Sequence, residues 1–176
     1  MTKVSKIDKA KVAIGLDHPF FASILYKRNL VERKDIPTLA VSDRGTIYYN
    51  PDFVEGLSVP QLVWGLCHEV GHVICQHAIR RGSRDHKKWN YAGDAWINDT
   101  LDACGVGQRI PNTVNMQGSK DKTTEEIYNE WPESPDGGGG SGGDGGGQYM
   151  EGDGMGEDII QEGRPLTESE VKEIEG

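Results

Sequence analysis

The sequence predicts an α+β fold in which helices outnumber strands, and three observations carry that prediction. Apolar residues recur at helical spacing across residues 60–79 and again across 89–104. Two β-branched and aromatic runs, Thr38-Leu39-Ala40-Val41-Ser42 and Thr46-Ile47-Tyr48-Tyr49, flank Asp43-Arg44-Gly45 and read as a hairpin. After Pro132 both periodicities stop, and glycine and acidic residues take over.

In chain order, residues 3–34 read as one or two helices. Ile7, Ala10 and Ile14, then Phe20, Phe21, Ile24 and Leu25, keep helical spacing, broken at His18-Pro19. Asn50-Pro51 closes the second strand of the hairpin and opens a short helix to Glu55. Ser58 is the expected N-cap of the next helix, with Pro60 in its first turn. That helix is expected to run on through Val73, Ile74, Ala78 and Ile79 and to end near Arg81-Gly82. A polar, basic loop covers 83–88. A second long helix follows, from about Trp89 or Ala92 to Cys104, with Gly105 at its end. Thr123 to Glu126 forms a capping-box signature opening a helix to Trp131. Residues 1–132 are thus expected to form the folded domain. Residues 133–157 read as a Gly-rich acidic flexible linker, and 158–176 as an acidic tail with a short helix from Thr167 to Glu175.

Composition agrees with that division. The chain has 176 residues, a hydrophobic content of 35% and a formal net charge of −9. From Glu133 onward there are 12 acidic and 2 basic residues, whereas the first 132 residues carry 16 acidic and 17 basic. The acidity belongs to the tail, so it implies no preference of the domain for a basic substrate. No apolar run approaches the roughly 18–20 residues that span a bilayer, and the N-terminus lacks the apolar stretch of a secretory signal. Cys67, Cys75 and Cys104 form no CxxC pair, which points to reduced thiols and a cytoplasmic location. Cys67 and Cys104 are expected in the core, as is Cys75.

The most specific signal is His68-Glu69-Val70-Gly71-His72, an HExxH motif inside a predicted helix. Helical rotation places His68 and His72 on one face, one turn apart, where two imidazoles supply two ligands of a catalytic zinc. Glu69 lies beside them as the candidate general base, placed to take a proton from a metal-activated water. The flanks (Leu66, Cys67, Val70, Val73, Ile74) are apolar, so the helix is expected to be buried and its histidines to need a partner. A third ligand is required, and Asp94 on the next helix is favoured over Asp99 and Asp102. Ala92, Gly93 and Ala95 around it are expected to let the two helices approach. Asn98, four residues after Asp94, is the candidate hydrogen-bond support for a ligand. Tyr91, Arg80 and Arg81 are candidate oxyanion or substrate contacts. His77 falls about 180° from His68 on a regular helix and is expected outside the site. Trp64, Trp89 and Trp96 read as packing residues, and His18 and His86 as surface or turn residues.

Several ordered blocks agree with one known family. Ile47-Tyr48-Tyr49-Asn50-Pro51, Leu66-Cys67-His68-Glu69-Val70-Gly71-His72, Arg80-Arg81-Gly82 and the stretch from Trp89 to Asn98 resemble the putative metallopeptidase domain of bacteria and phages. The resemblance covers roughly residues 15–131. It implies a zincin-like core with a small sheet or hairpin packed on the HExxH helix. It also implies His68, His72 and Asp94 as metal ligands and Glu69 as catalytic base. The aspartate on a following helix is similar to the gluzincin arrangement, with aspartate in place of glutamate. Family members often precede a von Willebrand A-like domain and lie near genes for MoxR-type AAA+ ATPases. The expectation is therefore a fragment of a longer protein or a short form without that domain.

The function expected is a zinc metalloendopeptidase acting on protein or peptide substrates, the hairpin offering an edge strand to an extended peptide. The alternative is a non-catalytic, zinc-stabilised adaptor for an AAA+ ATPase or a host factor. Nucleic-acid binding, as in SprT-like proteases, rests only on the basic loop from Arg80 to Lys88 and is disfavoured, because one short patch makes few phosphate contacts. The acidic tail is a candidate autoinhibitor. Nothing in the sequence sets an oligomeric state.

Overall fold

The computed structural model describes residues 3–131 and 159–160. The linker and tail expectations, including the helix at 167–175, otherwise lie outside the described residues. The fold is mixed α+β: seven helices among the described residues, with one small four-stranded sheet.

Ser5 caps α1 (Lys6–Asp17) by accepting from the Asp8 amide, and Ala10 and Ile14 on its inner face are fully buried. His18-Pro19 breaks the helix as expected, and α2 (Pro19–Leu25) follows, burying Ala22 and Leu25. The chain then forms β1 (Leu30–Glu32), where the sequence reading extended the helices. The strand exists through its partner: β1 pairs in parallel with β3 (Ile47–Tyr49), a long-range contact that local periodicity does not report. The hairpin is present, β2 (Leu39–Ser42) running antiparallel to β3 with Ala40 opposite Tyr48.

Asn50 accepts from the amides of Asp52 and Phe53 to start α3 (Pro51–Gly56). Helix α4 (Val59–Ile74) opens with a complete capping box between Ser58 and Gln61, worth about 1 kcal/mol. Every residue from Leu62 to His72 is buried, because α1 and α2, the sheet and α6 (His86–Ala103) enclose it. A β4 strand (Ile159–Ile160) pairs in parallel with β2, placing Ile159 opposite Val41, in the sheet order β1-β3-β2-β4.

The motif helix ends earlier than its apolar spacing predicts. Cys75 caps it, Gln76 takes a left-handed conformation (φ 52°), and α5 (His77–Arg80) starts in a new direction. Helix α6 begins at His86, capped by Asp85, and α7 (Thr124–Glu130) begins with the expected capping box of Thr123 and Glu126. A second, smaller apolar cluster of Ala92, Ala95, Val114, Ile127 and Trp131 joins α6 to α7. Cys104 is exposed and Cys75 half-buried, so only Cys67 is in the core; the two others cap helix ends, where the chain turns outward. No helix among the described residues is long and apolar enough to cross a membrane.

Candidate metal centre

The buried face of α4 carries His68 and His72, and α6 lays Asp94 across them. Nε2 of His68 and Nε2 of His72 are 3.1 Å apart; Oδ1 of Asp94 is 3.1 Å from His72 Nε2 and 3.4 Å from His68 Nε2. All three side chains are buried. A tetrahedral zinc with bonds of roughly 2.0–2.1 Å has ligand–ligand edges of about 3.3–3.4 Å. The three observed separations fit that triangle, and two imidazoles with one carboxylate suit zinc chemically. Asp99 and Asp102 are engaged elsewhere: Asp99 accepts from the Lys120 amide and Asp102 pairs with Arg109 at 2.6 Å.

The helices meet closely, though not through the residues expected to allow it. Ala92 and Ala95 face α7, and Gly93 faces His77. The small residue between α4 and α6 is Gly71, inside the motif: a Cβ there would lie 3.0 Å from Ile97. Because aspartate reaches one methylene less far than glutamate, α6 must come this near for its carboxylate to meet the histidines.

Asn98 fixes His68. Its amide Nδ2 donates to the Val114 carbonyl at 2.9 Å, which turns Oδ1 toward His68 Nδ1 at 2.7 Å. His68 must then donate from Nδ1, leaving the Nε2 lone pair facing Asp94 and His72. Trp64 stacks on the same imidazole with centroids 5.5 Å apart, holding its plane.

His77 does join this network, contrary to the regular-helix expectation. The left-handed Gln76 swings it back, so that His72 Nδ1 and His77 Nδ1 are 3.0 Å apart and His77 Nε2 is 3.0 Å from Thr124 Oγ1. The Trp89 indole donates to the His77 carbonyl at 2.7 Å and pins the turn. Burial, assisted by the charges of His72 and Arg80, pushes the His77 pKa well below its ordinary value. A neutral His77 accepts from His72 Nδ1–H and donates Nε2–H to Thr124, which leaves His72 Nε2 as a candidate ligand atom. Sequence reasoning missed His77 and Thr124. No Gly or Pro marks the break at Gln76, so the sequence carries no signal for it.

Glu69 is fully buried, and neither carboxylate oxygen has a hydrogen-bond partner. Burial pushes its pKa up to about 7, against the pull of His68 and His72. Burial also acts to raise Asp94, but without metal the imidazoles of His68 and His72, when protonated, outweigh that and hold it far below the usual carboxylate range. His68 is raised: burial lowers it, and Asp94 more than compensates. Two neighbouring carboxyls are thereby driven apart, one anionic and one near neutral pH.

The other candidates sit elsewhere. Tyr91 stacks on Trp131 with centroids 5.9 Å apart, and Arg80 pairs with Glu125 at 2.5 Å while donating to the Cys75 carbonyl at 2.9 Å. Arg81 contributes a backbone amide bond to His77. None of these bonds reaches the three candidate ligands.

A mixed α+β domain with a buried His-His-Asp cluster suited to a metal is the class that fold and site define. The chain belongs to the family described as the putative metallopeptidase domain, whose model matches residues 2–168. An uncharacterized protein of Thermotoga maritima is 33% identical to it over 101 residues, which is 54% of this chain and 25% of that protein. The chain therefore spans about a quarter of the relative it matches. No solved structure matches it.

Proposed function

We propose that this protein is a zinc-dependent, zincin-like metallopeptidase, with His68, His72 and Asp94 as ligands and Glu69 as general base. The observation that carries this reading is the buried, unpartnered Glu69 carboxylate beside three converging ligand atoms. A buried carboxylate without partners is costly to the fold, and proton transfer is a use that explains its retention.

When bound, zinc supplies a Lewis acid that polarises a peptide carbonyl and acidifies water to a pKa near 7. The chain's own groups do the rest. Asn98 holds His68 in the tautomer that presents Nε2, and His77 with Thr124 does the same for His72. Glu69 takes the proton of the attacking water and delivers it to the departing amine. A proton affinity near neutrality suits both halves of that task. The walls of buried apolar side chains around α4 keep bulk water from competing for the carboxylate.

Glu69→Gln tests this. The variant is expected to bind one zinc per chain, as the wild type does, while metal-dependent cleavage of unfolded protein falls by about two to four orders of magnitude. Stoichiometric zinc with no turnover in the wild type would instead make the domain a zinc-stabilised binding module.

A further inference from the structure

A cavity of about 250 Å³ opens beside His72. Its apolar wall comes from three places in the fold: Ile24 on α2, Val41 and Ile159 on the adjacent strands β2 and β4, and Val73, Ala78 and Ile79 at the α4–α5 turn. Pockets for drug-sized ligands measure roughly 300–1,000 Å³. This cavity is smaller, with room for a bulky side chain. Ile74 and Ile79, both lining it, are 37% and 42% exposed, an apolar surface open to a ligand.

Charge adds a second constraint. Lys27 and Arg28 line the cavity too, and Asp43 is its one acidic residue. Among the described residues neither cation makes an ion pair, and Arg28 Nε is buried without a hydrogen-bond partner. The terminal nitrogens of a lining guanidinium without an ion pair suit a carboxylate, which they can grip with two parallel bonds. Of the candidate ligands His72 lines this space, so a side chain seated there lies beside one ligand of the proposed centre.

We propose that this cavity is the subsite for a bulky apolar side chain of an extended peptide, whose neighbouring carboxylate is met by Arg28. The inference rests on the metallopeptidase reading and deepens it: the bond cut is one flanking an aliphatic or aromatic residue. The carboxylate comes from an adjacent Asp or Glu or from the peptide's own C-terminus. Ile159 makes residues beyond the Gly-rich stretch part of the specificity wall.

The test uses zinc-loaded full-length Glu69→Gln protein and Gly/Ser dodecapeptides carrying Leu-Glu, Leu-Gln, a C-terminal Leu carboxylate, a C-terminal Leu amide, or Gly in place of Leu. Binding is followed by the amide shifts of Gly45, Ala78 and Ile79. A Leu peptide with a carboxylate is expected to bind about tenfold or more tighter than the Gly peptide. The Glu and C-terminal arms identify which carboxylate is used. Adding Ala78→Phe fills the cavity and removes the Leu preference; adding Arg28→Glu removes the carboxylate preference and leaves zinc content unchanged. Equal binding of Leu and Gly peptides, or a Leu preference that survives Ala78→Phe, overturns the subsite. Indifference to the carboxylate overturns the role of Arg28. Leu-dependent binding without zinc-dependent cleavage by the wild type would sink hydrolysis and leave the subsite standing.

Discussion

Nδ1 of His72 lies 3.0 Å from Nδ1 of His77, so one candidate metal ligand is oriented by another histidine. Ligand imidazoles more often meet a carboxylate, a carbonyl or water. A neutral histidine contributes an acceptor without adding charge to a site that already holds Asp94 and Glu69. His77→Phe keeps the ring volume and removes the acceptor; its zinc affinity is expected to fall about 10–100-fold. His77→Gln, which restores an acceptor, should recover part of that loss, and Thr124→Val should lie between. Competition titration against a chelator reads all three, and unchanged affinity in His77→Phe removes the residue from the site.

The ligand set predicts a sharper hierarchy. His72→Ala and Asp94→Ala each lose stoichiometric zinc, whereas Asn98→Ala keeps it with about 10–100-fold weaker affinity. Elemental analysis of dialysed protein separates the two classes. Full zinc occupancy in Asp94→Ala would require a different third ligand.

Glu69 sets the pH dependence of the metal-free fold. Its pKa rises from an ordinary 4.5 to about 7 on folding. Below pH 4.5 the carboxyl is neutral in both states; between 4.5 and 7 the unfolded chain loses its proton first, and stability falls as pH rises. The loss approaches about 3 kcal/mol above pH 7, and His68, also raised, acts in the same direction above 6.5. Depressed Asp94 stabilises the fold throughout this range and leaves the slope alone. Urea unfolding in chelator should therefore show wild type weaker at pH 8 than at pH 5, and Glu69→Gln markedly less so. Identical slopes would mean that Glu69 is not the source.

Gly71 and Gly93 are expected to act on metal binding through packing. A Cβ on Gly71 would sit 3.0 Å from Ile97, and one on Gly93 would sit 2.8 Å from His77 Nδ1. Gly71→Ala gains about 1 kcal/mol of helix propensity and loses about 1–3 kcal/mol to crowding, while shifting the helix that carries Asp94. Its zinc affinity should fall further than its melting temperature, and Ile97→Ala in the same background should restore both. Gly93→Ala should weaken zinc much as His77→Phe does. The double variant should be no worse than either alone, since both disturb one imidazole.

Where local chemistry decides, the sequence reading and the structure agree. Ser58 with Gln61 and Thr123 with Glu126 cap their helices as their spacing implies, and the Tyr48–Ala40 hairpin pairing follows from alternating residues around a Gly turn. His68, His72, Asp94 and Asn98 come together because helical spacing puts each pair on one face. What could not be read depends on non-local partners or on a backbone choice. Leu30–Glu32 is a strand only beside Ile47–Tyr49. Gln76 adopts a left-handed conformation that its side chain does not favour, and the displaced His77 follows from it. Ile159 lies in a stretch whose composition reads as an acidic tail, and its role depends on an edge of β2 more than a hundred residues away.

That last pairing also sets an order of assembly. Every residue from His68 to Thr124 that shapes the metal centre leaves the ribosome before Ile159 does. At about 5–20 residues per second, the intervening stretch takes roughly 2–7 s to synthesise. During that interval the candidate ligands can come together while the outer edge of β2 still lacks β4. On the proposed function, the nascent chain would be able to take up metal before Ile159 completes the wall that selects what enters.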